Sequence, residues 1–306
     1  MLGSPAGVAL DWATLYCAVG SVRVASAAVV SCPPSMAMSA ISKLVVPVSS
    51  SAPLAVAPSD VVEPLAREGF VFVRGERMRP LLEAAGARDW DSFADSWNDL
   101  GVDMYMADGG RYRRRRFSTF AASESAPRGS AEGGAPGERR VTKKPHQPHY
   151  QSRDYNVLNG GVARWFLPID DAVAEHPVLR AVLETTHRWF DELTPPEARP
   201  RVWHVEVHQF RIETGPEQGL ATPEGMHRDG VDWVLVMLVR RENIASGETR
   251  LEDTAHRPVG SFTLTEPMDS TLVDDDRVFH GVTPLEQHDP SRAAYRDVLV
   301  VTFRRE

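Results

Sequence analysis

At 306 residues and 42% apolar composition the chain has enough hydrophobic mass for one full core. Its formal charge of −8 gives no general attraction to phosphate backbones or anionic lipid, which argues against nucleic acid or a membrane as the main partner. No run reaches the roughly 18–20 uninterrupted apolar residues of a spanning helix, because Arg23 and Pro33-Pro34 interrupt the most apolar stretch. Cys17 and Cys32 are the only cysteines, so a metal bound further along the chain must be held by histidine and carboxylate.

Residues 1 to 58 are rich in Ala, Val, Ser and Pro, with Asp11 the only acid and Arg23 and Lys43 the only bases. This composition has no helical or strand period and lacks the basic start of a secretory signal. It predicts a disordered extension, or an over-extended start with Met36 or Met38 as initiator, ahead of one domain over 59–306 in a cytoplasmic protein. From Ser59 the texture changes. Ser59-Asp60 predicts the cap of a helix through Val62 and Leu65 that Gly69 ends, followed by a strand at Phe70 to Val73. Two further helices are predicted around Met78 to Ala85 and Asp89 to Leu100, the second with Trp90, Phe93 and Trp97 along one core-facing side.

Residues 121 to 145 carry Gly, Pro, Ser and charge without period and predict a mobile surface loop. Pro177 to Leu193 reads as a helix with Val178, Val182, Trp189 and Leu193 inward, stopped by Pro195-Pro196. Beyond it β-rich runs recur at Val202 to Ile212, Trp233 to Val239, Glu248 to Glu252, Ser261 to Leu264, Ser270 to Val273 and Asp297 to Phe303. Helices first and strands after predict a mainly β fold with flanking helices on one outer face, its core a barrel or jelly roll.

His227-Arg228-Asp229 puts two ligand-type side chains at i and i+2, which an extended segment turns to one face, and His280 on a later strand can supply a third. Two imidazoles and one carboxylate on one face of an octahedral ion leave three positions open, the arrangement of non-haem Fe(II) oxygenases that bind a 2-oxo acid and O2. From spacing alone the alternative is a turn in which Asp229 caps a backbone N–H. The co-substrate 2-oxoglutarate needs a fixed cation for its distal carboxylate, and a guanidinium gives two parallel charge-assisted hydrogen bonds where an ammonium gives one point charge. Arg296 is the first candidate because it abuts the strand Asp297-Val298-Leu299-Val300-Val301; Arg292 is the second.

The run Pro223-Glu224-Gly225-Met226-His227-Arg228-Asp229-Gly230, with Arg241 to Ile244, Gly247-Glu248-Thr249, His280 to Leu285 and Tyr295 to Val300, resembles the bacterial 2-oxoglutarate/Fe(II) dioxygenases typified by L-isoleucine 4-hydroxylase. Upstream, Tyr105 to Gly110, Tyr112 to Phe117, His146-Gln147-Pro148, Tyr150-Gln151 and Asn156 to Gly161, with Arg164 and Phe166, extend the likeness over roughly Val61 to Arg304. The resemblance implies a double-stranded β-helix and hydroxylation of a free aliphatic L-amino acid with release of succinate and CO2. The chain departs from the family in its first 58 residues, in the insertion at 121–141, and at Ser246, where a second glycine is expected. A cupin-like metalloenzyme working without 2-oxoglutarate, or a non-catalytic small-molecule-binding module of the same fold, is the alternative reading.

Gln151, Asn156 and Arg164 are candidate contacts for the carboxylate or ammonium of a substrate, with turn-forming and structural roles as the alternative. His204 and His208 in HVEVH lie four apart, but their valines indicate strand, so they read as packed or hydrogen-bonded polar residues rather than a zinc-protease motif. Arg113 to Arg116 reads as a solvated or locally paired face, with Arg116 partly buried.

Overall fold

A computed structural model of the chain describes residues 57–124, 139–156, 158–215 and 218–306. The expectations for the N-terminal extension up to residue 56 and for the centre of the 121–145 loop lie outside the described residues. Helix α1 (Ser59–Glu68) ends on Gly69, whose φ of 81° is a left-handed value that glycine adopts without penalty and whose N–H returns to Leu65 O. Its N-cap is Pro58 and no side chain caps it, which corrects the expected Ser59-Asp60 cap. The chain continues through β1 (Phe70–Val73), α2 (Gly75–Ala84), α3 (Trp90–Asp95), β2 (Gly101–Val102), β3 (Arg113–Glu124), β4 (Arg139–Lys143), α4 (Asp171–Ala174) and α5 (Pro177–Leu193). The strands β5 (Val202–Thr214), β6 (Trp233–Glu242), β7 (Thr249–Asp253), β8 (Pro258–Phe262), β9 (Ser270–Asp274), β10 (Val278–Val282) and β11 (Ala294–Arg305) complete it.

The loop expected at 121–145 is shorter than its composition suggested, because Ala121 to Glu124 prolong β3 and pair with Arg139 to Lys143 of β4. The strand expected at Ser261 to Leu264 is Pro258–Phe262, set by its pairing with β7, and the last strand starts three residues early, at Ala294. The largest correction is β3. Its four arginines alternate between the two faces of a central strand, so that Arg113 and Arg115 are buried while Arg114 pairs with Glu213 and Arg116 with Asp99 and Asp170.

The large sheet has the order β1-β9-β6-β11-β5-β3-β2, with β4 on β3, and the small sheet has the order β10-β7-β8. From β6 onward the chain alternates between sheets: β6, β9 and β11 belong to the large one and β7, β8 and β10 to the small one. That antiparallel, two-sheet winding is the double-stranded β-helix. Pleat parity then divides the side chains. Odd-numbered Trp203, Val205 and Val207 of β5 and Leu299, Val301 and Phe303 of β11 pack with Leu65, Met78, Phe93, Trp97, Val182 and Trp189 of the helices. Even-numbered residues of β5 and β11 point the other way, between the sheets. Each fully buried apolar side chain on the helical side contributes about 1.5–3 kcal/mol, and a one-residue slip of β11 would exchange core for cavity along its length. Among the described residues no helix is long and apolar enough to cross a membrane.

Candidate active site

A cavity of about 280 Å³ opens between the sheets. His227 reaches it from a short extended segment that bridges to β10, its N–H donating to His280 O at 3.0 Å and its O accepting from His280 N at 2.9 Å. This pairing sets the two imidazoles side by side, with ring centroids 4.5 Å apart. Asp229 follows on the same face, its carboxylate oxygens 3.7 Å from His227 Nε2 and 3.5 Å from His280 Nε2. Burial opposes ionisation of Asp229, yet the hydrogen bond from His280 and the charges of His227 and His280 hold its carboxyl well below the usual range.

The segment is pinned from behind by Asp275, whose carboxylate accepts from the backbone N–H of Asp229, Gly230 and Val231 at 3.0, 2.7 and 3.2 Å. Burial and the charge of Asp229 push the Asp275 carboxyl up to about 6. Gly230 is required at the next position: its φ is 77° and a Cβ would come within 2.5 Å of the Tyr155 ring.

Arg296 projects from β11 into the same cavity, 2% exposed, with Nε and Nη2 lacking any hydrogen-bond partner. Burial and the neighbouring Arg241 lower its guanidinium to about 10. A bulge in β6 makes the two arginines neighbours. Asp297 pairs with Arg240 but Val298 with Leu238, so Val239 is an extra residue and Arg296 falls opposite Arg241. Arg240 turns to the helical side and binds Asp95 at 3.0 Å. Arg292, the alternative clamp in sequence, does not line the cavity. Its side chain is 61% exposed and pairs with Glu242 at 2.7 Å, because it lies in the loop before β11 and not on the strand. Ser246, the departure from the family pattern, fastens that region: its hydroxyl donates to Pro284 O and accepts from Glu286 N, both at 2.8 Å.

A second histidine–carboxylate set lies in the same cavity, where His149, Glu206 and His208 bring ligand-type atoms within 4.8 Å of one another. Its neighbours separate it from the first set. Arg115 Nη2, a donor without lone pairs, binds His208 Nδ1 at 2.5 Å, so the His208 proton sits on Nε2, the nitrogen 3.8 Å from Glu206. His149 Nδ1 donates to Glu206 at 3.0 Å. Against the cost of burial, hydrogen bonds from His149, His204 and His208 hold the Glu206 carboxyl well below the usual range. The nitrogens of this set that face Glu206 carry protons and are satisfied by it. In the first set His227 Nδ1 donates to Gly225 O at 3.1 Å, which turns Nε2 towards Asp229, the orientation that ligation through Nε2 requires once a metal displaces its proton. Cis ligands about 2.1 Å from one ion stand about 3 Å apart, so the chemistry and spacing of His227, Asp229 and His280 suit a divalent iron.

Gln151 and Asn156 belong to one hydrogen-bonded chain behind that set. Gln151 Nε2 donates to Asp229 O and Oδ1 at 3.1 and 3.3 Å, and Asn156 Nδ2 donates to Gln151 Oε1 at 3.1 Å. Arg164 lines the cavity from a segment bridged to His149, 2% exposed and with Nε and Nη2 unpartnered.

The family model for 2OG-Fe dioxygenases matches residues 94–302. The chain belongs to that family. L-isoleucine-4-hydroxylase of Bacillus thuringiensis is 31% identical over 158 residues, 51% of this chain and 64% of that protein, so the match spans a little under two thirds of the relative's length. The 3(1)-hydroxy-L-isoleucine 4-dioxygenase of Pantoea ananatis is 23% identical over 79% of this chain and 94% of its own. A crystal structure of a bsmA homologue from Methylobium petroleophilum PM1 superposes with a TM-score of 0.70 at 33% identity, covering 82% of this chain and 94% of that one. The structure of IDO from Bacillus thuringiensis gives 0.61 at 19% identity over 82% and 100%, a likeness of fold.

As a 2OG-Fe dioxygenase the protein uses Fe(II), 2-oxoglutarate and O2, and the cupin-like and non-catalytic readings are set aside. The dioxygenase site also includes groups that the sequence did not single out. Asp275 is hidden in the acidic run 274–276, which resembles a turn, and no spacing rule ties it to Asp229. Glu206 was recoverable, since His204, Glu206 and His208 share one face of a strand by parity alone.

Burial and the charge of Arg115 hold the His208 imidazole down to about 3, and burial lowers His149 too. Both are neutral in the folded dioxygenase, whereas the unfolded chain takes up these protons below about pH 6.5. For His208, stability is therefore lost as pH falls from about 6.5 towards 3, by up to about 1.4 kcal/mol per pH unit, and His149 shifts it in the same direction. Urea midpoints measured from pH 7 to pH 4 should fall more steeply for the parent than for His208→Gln, which keeps an amide donor for Glu206; equal slopes would refute this assignment.

Proposed function

We propose that His227, Asp229 and His280 hold the iron, that Arg296 pairs with the distal carboxylate of 2-oxoglutarate, and that the substrate is a free aliphatic L-amino acid. The observation that carries this reading is the buried, unpartnered guanidinium of Arg296 in the cavity shared with the triad. A guanidinium so placed is costly without a carboxylate partner. With Fe(II), 2-oxoglutarate and O2 bound, the centre couples decarboxylation of the co-substrate to succinate and CO2 with transfer of one oxygen atom into a substrate C–H bond.

The chain's own part is placement. Asp275 fixes the backbone of the Asp229 segment, while Gln151, itself held by Asn156, holds the Asp229 carboxylate in orientation. Gln151 and Asn156 thus act through Asp229 rather than on the substrate. Val236, Val282, Val298 and Val300 line the cavity with surface suited to an aliphatic side chain. The named activities of the Bacillus and Pantoea relatives, both on isoleucine or a hydroxyisoleucine, support an amino acid as substrate.

The test is an anaerobic incubation with Fe(II), 2-oxoglutarate and a panel of free L-amino acids, exposed to air and analysed by mass spectrometry. The expected product gains one oxygen atom with equimolar succinate. Succinate without a substrate-derived product across all aliphatic and thioether members would refute the amino-acid assignment.

A further inference from the structure

The cavity holds more charge than iron and 2-oxoglutarate use. Arg113, Arg115 and Arg164 line it, and the first two are accounted for. Asp103 binds Arg113 at 2.8 Å and Arg115 at 3.6 Å, and Arg115 is also stacked 3.7 Å from the Phe166 ring and bonded to His208. Arg164 has no ion pair, and its Nε and Nη2 are buried without partners. On the acidic side, Glu206 is engaged by His149, His204 and His208. Glu224 has one histidine neighbour and one free oxygen. Its side chain is 11% exposed, its Oε1 stands 3.6 Å from His227 Nε2, and its Oε2 is buried without a partner. Glu224 and Arg164 sense each other's charge, yet no hydrogen bond or ion pair within 4.0 Å joins them. A buried guanidinium with two unpartnered nitrogens and a buried carboxylate with one unpartnered oxygen thus face one cavity, with the carboxylate beside the metal ligands.

We propose that Arg164 and Glu224 form a receptor for a zwitterion, Arg164 taking the α-carboxylate and Glu224 the α-ammonium of a free α-amino acid. This rests on the amino-acid reading above and deepens it. A guanidinium with two free donors matches a carboxylate, and a carboxylate with a free oxygen matches an ammonium. The two charges of an α-amino acid are fixed on one carbon, so a receptor that requires both rejects peptides, N-acyl derivatives and amides. Placing Glu224 beside His227 anchors the α-carbon near the metal ligands and directs the aliphatic chain along the valine wall. Gly225, with a φ of 81°, and Thr222, whose hydroxyl accepts from Val282 N at 2.9 Å, hold the loop that carries Glu224 against β10.

The test uses L-isoleucine, L-leucine and L-methionine, each with its α-amide and its N-acetyl derivative. Binding is read under nitrogen from the change each causes in the visible absorbance of the Fe(II)–2-oxoglutarate complex, and turnover is read in air. Wild type should bind the free acids and discriminate against both derivatives. Arg164→Met should weaken binding of the free acid by on the order of thirtyfold or more and abolish the preference for acid over amide, with Arg164→Lys restoring part of both. Glu224→Gln should weaken the free acid similarly and abolish only the preference for the free over the N-acetylated amine. The 2-oxoglutarate midpoint should stay within a few-fold of wild type in all three variants, which separates a lost substrate contact from a damaged fold. If wild type binds the amino acids and Arg164→Met keeps both affinity and acid-over-amide preference, the receptor assignment is wrong and the amino-acid reading survives. If wild type binds none of them, both fall together.

Discussion

Asp229→Ala should fold as the parent does, bind little Fe(II) and release no succinate. The fold rests on apolar packing across the large sheet and its helices, none of which involves this carboxylate. The loop should keep its course as well, because Asp275 grips it through the backbone N–H of Asp229, Gly230 and Val231. What is lost is one of the three proposed ligand groups, and the remaining histidines alone give neither the charge nor the geometry for iron. Iron content after anaerobic loading, succinate by mass spectrometry and circular dichroism are measured together. Glu206→Gln in the second histidine–carboxylate set should retain iron stoichiometry. Iron retained in Asp229→Ala but lost in Glu206→Gln would transfer the metal centre to His149, Glu206 and His208.

Arg296→Ala should raise the 2-oxoglutarate concentration needed for half-saturation by a factor of roughly thirty to several thousand, because removing one partner of a buried charged pair costs on the order of 2–5 kcal/mol. Arg296→Lys should fall between, since it keeps the charge and loses the planar fork. Arg292→Ala should leave the midpoint unchanged, as that side chain is held at the surface by Glu242. The readout is the Fe(II)–2-oxoglutarate charge-transfer absorbance titrated under nitrogen. An unshifted midpoint in Arg296→Ala would remove the assigned clamp.

Much of this architecture was legible because long segments carried one clear period. Pro177–Leu193 is the expected helix, with Val178, Val182 and Trp189 buried, and HxD followed by a later histidine located a real cluster because an extended segment and β10 pair at His227 and His280. The strand β3 was hidden for a physical reason. Consecutive arginines look like a solvated face, and only the cavity on one side and the counter-ions Asp99, Asp170 and Glu213 on the other make alternation of such residues stable. Choosing between Arg292 and Arg296 needed the true start of β11, three residues before the expected one. Gln151 and Asn156 line the cavity, and nothing in the sequence signalled that Gln151 would donate to Asp229, 78 residues away, with Asn156 donating to Gln151.

The extra residue Val239 in β6 has an effect on the molecule as a whole. By shifting the register it places Arg241 opposite Arg296 and leaves Arg240 to bind Asp95 on the helical side, so the guanidinium that faces Arg296 has no carboxylate on it among the described residues. Such a pair raises the free energy of the native state, and a dicarboxylate that binds there relieves it as a counter-ion would. On the proposed assignment of Arg296, the co-substrate is a structural component as well as a reactant. By mass action, a hundredfold excess of a ligand over its dissociation constant adds about 2.7 kcal/mol to folding stability. With Arg296 as the proposed clamp, the stability of the folded protein is expected to rise with the concentration of 2-oxoglutarate around it.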